Sequence, residues 1–236
     1  MIFAAGLGTR LRPLTDAMPK ALVPVDGVPL LERVMTKLVA AGYDDIVINV
    51  HHFAQMIRDF VAEKDCFGVK VGFSDETDLL RETGGGIRHA APLLEDSDGP
   101  FLVHNVDIIS NLDLQWFRAR HREGDLATIL VSERETQRYF LFDDDMRLVG
   151  WTNVATGEVR SPYPSIDPDQ CTRLAFSGIH LMSPDILPLM EPWPEKFPIV
   201  DFYLALCRTH AIRAAVMPGL EMQDVGKLSQ LNCKIV

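Results

Sequence analysis

The chain has 236 residues, 47% hydrophobic and 24% charged, proportions ordinary for a soluble globular protein with room for a sizeable core. Its formal net charge of −10 argues against a general nucleic-acid binder. A phosphate-bearing substrate is compatible with that charge only where cations gather locally or a metal is present.

Four cysteines (Cys66, Cys171, Cys207 and Cys233) are widely spaced and form no C-x-x-C pair. A reduced, cytoplasmic protein fits them better than a disulfide framework or a zinc site. No apolar run approaches the length of a membrane span. Met1 stands almost inside the first predicted strand, so no signal peptide is expected before it.

That strand is the apolar run Met1 to Ala5, which ends at Gly6 and Gly8. Glycine lets the backbone take positive φ and come close to a ligand, and successive N–H groups in such a bend can converge on an anion. Arg10 and Lys20 follow. Two cations around a glycine bend suggest a polyphosphate site. It is neither of the two commonest phosphate loops. A P-loop would need Gly-Lys-Ser/Thr after four intervening residues, and the dinucleotide fingerprint would need a glycine where Leu11 stands.

Leu30, Leu31, Val34, Leu38 and Val39 predict a helix over 29–41, stopped by Gly42. A buried strand follows over 45–50, then a helix over 53–63 and a strand over 69–73. Strand and helix alternating with short links indicate a parallel, doubly wound sheet, with ligands outside the carboxyl ends of its strands. A polar, acidic run over 74–83 leads into Gly84-Gly85-Gly86 before a helix-like 89–94. The triple glycine reads either as a flexible loop or as a place of close backbone approach to a flat ligand or phosphate. Asp107 follows a buried strand over 101–104. It could hold Mg²⁺ against a triphosphate or cap the next helix, although Asn111 and Asp113 are better placed to cap 114–121.

After a strand over 126–132, residues 139–142 and 148–151 predict a hairpin around Asp143-Asp144-Asp145. Those aspartates are most simply a solvated turn. Residues 152–172 read as an irregular excursion, followed by a strand over 174–182. Pro184 is expected at the first position of a helix. A helix over 199–209, a strand over 212–217 and a short last helix after residue 227 complete the chain.

The segment 4–25 contains Ala-Gly-Leu-Gly-Thr-Arg-Leu-Arg-Pro-Leu-Thr and then Pro-Lys-Ala-Leu-Val-Pro-Val. It resembles the signature of the sugar-1-phosphate nucleotidyltransferases, the nucleotide-sugar pyrophosphorylases. The resemblance implies an α/β fold with a doubly wound, mainly parallel Rossmann-like sheet of the nucleotide-diphospho-sugar transferase type and a small β excursion. It implies one domain over 1–236, with a nucleotide half near 1–110 and a sugar-binding half near 111–236. The implied reaction is Mg²⁺-dependent transfer from an NTP to a sugar-1-phosphate. By the same resemblance Arg10 and Lys20 are catalytic, and Asp107 and Asp224 are the metal ligands. Ala5, Gly6, Gly8, Thr9, Glu82, Thr83, Gly84 and Gly85 bind the nucleotide, and Asn105 and Gly178 the sugar phosphate. Nucleic acid and membrane are not expected partners. The sequence departs from the family pattern at Val106, where glycine is usual, and at Met222 and Lys227.

The form Glu82-Thr83-Gly84-Gly85-Gly86-Ile87 and the compact length look most like N-acetylmuramate-1-phosphate uridylyltransferases. Mannose- or heptose-1-phosphate guanylyltransferases are the rivals. A non-catalytic nucleotide-sugar regulator is the alternative of another class, and retention of Arg10, Lys20, Asp107 and Asp224 favours the enzyme. His51 and His52 read equally as pocket lining or as a surface pair before a helix.

Overall fold

In the computed structural model, which describes residues 1–226, the apolar runs pair into a ten-stranded sheet. Lys227, Cys233 and the expected last helix lie outside the described residues.

The first part comprises β1 (Ile2–Phe3), β2 (Pro24–Val25), β3 (Val28–Pro29), α1 (Leu30–Ala40), β4 (Asp45–Val50), α2 (Ala54–Glu63), β5 (Lys70–Asp75), α3 (Glu82–Ala90), β6 (Phe101–Asn105) and β7 (Ile108–Ser110). Next come α4 (Leu114–Arg118), β8 (Asp125–Ser132), β9 (Arg138–Phe142), β10 (Leu148–Asn153), β11 (Glu158–Arg160) and β12 (Thr172–Met182). The chain continues through α5 (Ile186–Met190), α6 (Ile199–Leu206), β13 (Ala211–Val216) and β14 (Met222–Asp224).

β1 lies between β4 and β6 and parallel to both, and β5 extends the parallel set beyond β4. The chain runs from β1 outward to β4 and β5 on one side and returns past β1 to β6 on the other, so the order reverses between β1 and β6, a topological switch point. The long strand β12 runs antiparallel to β6, β8 and β9, and β13 pairs parallel with β8. The sheet is therefore mixed, its parallel character concentrated in β5-β4-β1-β6 and β8-β13.

Alternation along β4 shows why both faces are covered. Ile46 and Ile48 pack with Leu31, Met35 and Ile57 of α1 and α2. Val47, one residue between them, faces the opposite cluster, which holds Ile87, Ile186 and Phe202 of α3, α5 and α6. Among the described residues, no helix is long and apolar enough to cross a membrane.

Several local expectations change. The triple glycine lies inside α3, neither a loop nor a prelude to a helix. The excursion over 152–172 contains a third strand, β11, paired with β10. α5 begins at Ile186, beyond Pro184. α4 stops at Arg118, short of His121, and its cap is Asp113, whose carboxylate accepts the N–H groups of Gln115 and Trp116 at 2.9 Å. Asp107 is thereby released from any capping role. The acidic turn is an ordinary one, with Asp143 Oδ1 accepting from the N–H groups of Asp145 and Arg147.

Candidate active site

A cleft of about 430 Å³ opens at the carboxyl ends of β1, β4 and β6, lined by Phe3, Ala5, Gly6, Lys20, Asn49 and Glu76, with Thr83, Asn105 and Asp107 farther along. Its first wall is the bend after β1. Gly8 takes φ +64°, and a Cβ there would stand 2.7 Å from Thr15 Cγ2, so only glycine fits. Its carbonyl accepts from Leu11 N–H and Thr15 Oγ1, each at 2.8 Å, which fixes the turn into the helical segment Thr9–Leu11 carrying Arg10. Gly6 differs: nothing lies within 4 Å of where its Cβ would be, and the space belongs to the cleft.

The opposite wall starts at Glu82, which has φ +62°, a costly conformation for a residue with a side chain. Thr83 Oγ1 accepts the N–H of Ile199 at 2.9 Å. Gly84 and Gly85 donate their N–H groups to the carbonyl of Phe197 at 2.9 and 3.1 Å. Their missing side chains make room for Phe197 and for the backbone of Glu195. These two glycines dock α3 against the loop before α6, while Glu82 and Thr83 meet the cleft.

Asp107 and Asp224 are distant in sequence and meet because β14 pairs antiparallel with β7, setting Asp224 opposite Ile108. Val225 N–H donates to the Asp107 carbonyl at 2.9 Å, and Gly226 N–H to Asp224 Oδ1 at 2.9 Å. A Cβ on Gly226 would lie 2.8 Å from Asp224 Oδ1, 3.1 Å from Asp107 Oδ2 and 3.2 Å from Arg10 Nη2. Two carboxylates and a guanidinium thus converge on one point. Lys20 Nζ completes the cluster by pairing with Asp107 Oδ2, both side chains being mostly buried.

The all-oxygen donor pair fits Mg²⁺, which commonly takes one or two carboxylates and completes its shell with water and substrate phosphates. Among the described residues no group of three or more His, Cys, Asp or Glu could hold a metal.

Val106 is accommodated. It is buried among Ile2, Ala4 and Ile179, its φ is not positive, and its N–H donates to the Phe3 carbonyl at 3.1 Å. Gly178 has φ +72°, and a Cβ on it would lie 2.6 Å from Asn105 Nδ2, so the two expected sugar-phosphate residues are in contact. Behind Asn105, burial lowers His104 to about 4, and its neutral ring donates from Nδ1 to the Asn105 carbonyl at 2.8 Å. Lys37, lowered by burial to about 8, donates to the Ser110 carbonyl at 2.7 Å and anchors β7 to α1.

Neither histidine of the His51-His52 pair lines the cleft. His51 Nδ1 bonds the Glu76 carbonyl at 2.6 Å, and the His52 ring lies 3.9 Å from that of Phe53. The site residues missed from sequence are Asn49 and Glu76. An amide inside the apolar run Ile46-Val47-Ile48-Asn49-Val50 was the available signal for the first. Nothing marked Glu76 among its acidic neighbours.

A family model described as "Nucleotidyl transferase" matches residues 1–141. The chain belongs to this family, that of the sugar-1-phosphate nucleotidyltransferases, and so to a class of enzymes. Among its relatives is an N-acetylmuramate alpha-1-phosphate uridylyltransferase of Caulobacter vibrioides, 32% identical over 192 residues, covering 79% of this chain and 75% of the relative. A mannose-1-phosphate guanyltransferase of Gibberella zeae is 38% identical over 137 residues, covering 57% of this chain and only 37% of that one. The crystal structure of HddC from Yersinia pseudotuberculosis complexed with GMP-PN superposes with a TM-score of 0.76 at 26% identity, covering 98% of this chain and 94% of that one.

Proposed function

We propose that this enzyme transfers a uridylyl group from UTP to N-acetylmuramate-1-phosphate, releasing pyrophosphate, with residues 1–236 acting as one catalytic domain. The observation that carries the transfer chemistry is the convergence of Arg10, Asp107 and Asp224 on one point beside Lys20. The similarity to the Caulobacter uridylyltransferase favours this nucleotide and acceptor.

An oxygen of the sugar phosphate attacks the α-phosphorus, and the bond from that phosphorus to the bridging oxygen breaks. The nucleophile is already anionic, so no general base is required. Alignment and charge neutralisation are what the residues must supply. Ala5 and Gly6 border the base and ribose on one wall, and Glu82 and Thr83 on the other. Arg10 faces the charge on the departing pyrophosphate. Lys20, mostly buried, neutralises Asp107 in the free enzyme and is within reach of the phosphates. Asp107 and Asp224 would hold Mg²⁺, which when bound contributes positive charge beside the phosphate oxygens. Asn105 and Gly178 border the acceptor phosphate.

Guanylyl transfer to mannose-1-phosphate or a heptose phosphate is the second reading, favoured by the Gibberella relative and the HddC complex. Pyrophosphate release measured for each NTP against a panel of sugar-1-phosphates decides. UTP with N-acetylmuramate-1-phosphate is expected to give the highest kcat/KM. Preference for GTP overturns the uridylyl reading, and no release with any pair overturns the transfer.

A further inference from the structure

We propose that Asn49 and Glu76 are a positioning pair that holds the two walls of the nucleotide cleft at a fixed separation, an inference that rests on the nucleotidyl-transfer reading above. Both are buried, at 1% and 0% exposure, on the floor of the cleft. Asn49 Oδ1 accepts the N–H groups of Ala4 and Ala5 at 2.7 and 3.2 Å, which ties down the wall that begins the glycine bend. Asn49 Nδ2 donates to Glu76 Oε1 at 2.8 Å. Glu76 Oε2 accepts the N–H of Arg81 at 3.1 Å, immediately before Glu82 and Thr83 on the other wall. One amide and one carboxyl group thus link the bend after β1 to the turn before α3, beyond the pairing of β1, β4 and β5. The third glycine of α3 belongs to the same arrangement, since a Cβ on Gly86 would stand 2.9 Å from Glu76 Oε1 and 3.4 Å from Asn49 Nδ2.

The pair has a polarity. Both Glu76 oxygens accept, Oε1 from Asn49 Nδ2 and Oε2 from Arg81 N–H, so Asn49 turns its NH₂ toward Glu76 and its carbonyl oxygen toward Ala4 and Ala5. Glu76 sets the orientation of the amide, and the amide sets the backbone that borders the nucleotide. E76Q has one accepting and one donating end and cannot accept from both Asn49 and Arg81. The conflict passes to the Ala4 and Ala5 N–H groups, and an unsatisfied buried donor is costly. N49D/E76Q reverses the relay and restores every bond. The new carboxylate accepts from Ala4, Ala5 and the glutamine NH₂, and the glutamine oxygen accepts from Arg81.

The test is the calorimetric Kd for UTP and for GTP, each with Mg²⁺, beside nucleotide and acceptor KM, in the wild type, E76Q, N49D and N49D/E76Q. E76Q and N49D are expected to weaken nucleotide binding about tenfold or more, the ratio that one lost buried bond represents. Acceptor KM stays unmoved, and N49D/E76Q returns to within about threefold of the wild type. Hydrogen exchange at the Ala4 and Ala5 N–H groups reads the relay without the double variant, and E76Q is expected to accelerate it. Wild-type affinity in E76Q, a folded N49D/E76Q as weak as the single variants, or unchanged exchange at Ala4 and Ala5 overturns the pair. A wild type that binds UTP or GTP yet releases no pyrophosphate sinks the transfer reading instead, because affinity and exchange still report the relay.

Discussion

The two halves of this molecule are tied together by different kinds of bond. Around the cleft, backbone groups find partners far away in sequence. Ala4 and Ala5 bond Asn49, Gly84 and Gly85 bond Phe197, and Ile199 bonds Thr83. In the extension built from β9, β10 and β11, surface ion pairs stand beside a few backbone ties, such as that from Ala214 N–H to the Met146 carbonyl. Arg160 pairs with Asp201 and Arg173 with Asp169, with every one of these side chains more than a third exposed. A backbone tie prescribes residue type, because a Cβ or a reversed amide breaks it. A surface ion pair prescribes little and contributes little. The cleft is therefore a frame with few permitted sequences, and the β9–β11 extension a surface more open to exchange.

The largest expected departure comes from the frame's charged end. Asp107→Ala should lower kcat by roughly 10²–10³-fold, the usual size of one preorganised charge interaction in a transition state. Stability should fall far less, since Lys20 lies at the cleft and regains water when its partner is removed. Turnover and a thermal melt on the same preparation check both. Turnover within about threefold of the wild type, with Mg²⁺ present, would remove Asp107 from the metal-binding role.

The same contrast explains what the sequence revealed. The strand–helix alternation and the signature over 4–25 were legible because glycine geometry and burial on both faces of a sheet leave strict residue patterns. Asp224 was legible only through family likeness, since its meeting with Asp107 depends on the β7–β14 pairing, and three-residue strands carry no periodicity of their own. The triple glycine was legible as a constraint but not as its cause. Tight packing against Phe197, Glu195 and Glu76 selects the same residue as a close ligand would. β11 was hidden because two of its three residues are exposed, so no apolar run marked it.

The seam between the halves offers the next test. β6 and β12 pair there, with His104 opposite Ile179 and His180 opposite Val103. Burial lowers His104 to about 4 and His180 to about 3, and His180 Nδ1 bonds the Tyr203 hydroxyl at 2.5 Å. Both folded values lie below the roughly 6.5 of an unfolded chain, so the unfolded state takes up the protons. The stability held by the neutral rings is complete above a pH of about 6.5 and is lost as pH falls through about 4 toward 3. Urea unfolding from pH 7 to pH 4.5 should show a decline of a few kcal/mol. His180→Gln should be less stable at pH 7 and decline less steeply. A slope equal to that of the wild type would show that His180 does not titrate with unfolding.

Gly178→Ala probes where the frame reaches the acceptor side. The left-handed conformation costs a side chain about 1–2 kcal/mol, and the added methyl presses on Asn105. A Tm lower by roughly 2–8 °C is expected, with a raised acceptor KM and an unchanged nucleotide KM. Equal rises in both KM values would mean that Asn105 serves the nucleotide as much as the acceptor.

The smallest effect belongs to Arg160→Ala. Arg160 pairs with Asp201 of α6 and lies over the Trp151 ring, 5.4 Å from its centroid. The exposed ion pair is worth up to about 1 kcal/mol and the ring contact about 0.5–1 kcal/mol. Salt screens the charge–charge share more than the charge–quadrupole contact with the ring. Arg160→Ala should therefore lower Tm by a few degrees in dilute buffer and by less at high salt, and Asp201→Ala by less than that, because it leaves the guanidinium on Trp151. Nucleotide KM should stay at the wild-type value in both. A loss as large as that expected for Gly178→Ala, undiminished by salt, would place Arg160 within the frame and move the boundary between the two halves out to β11.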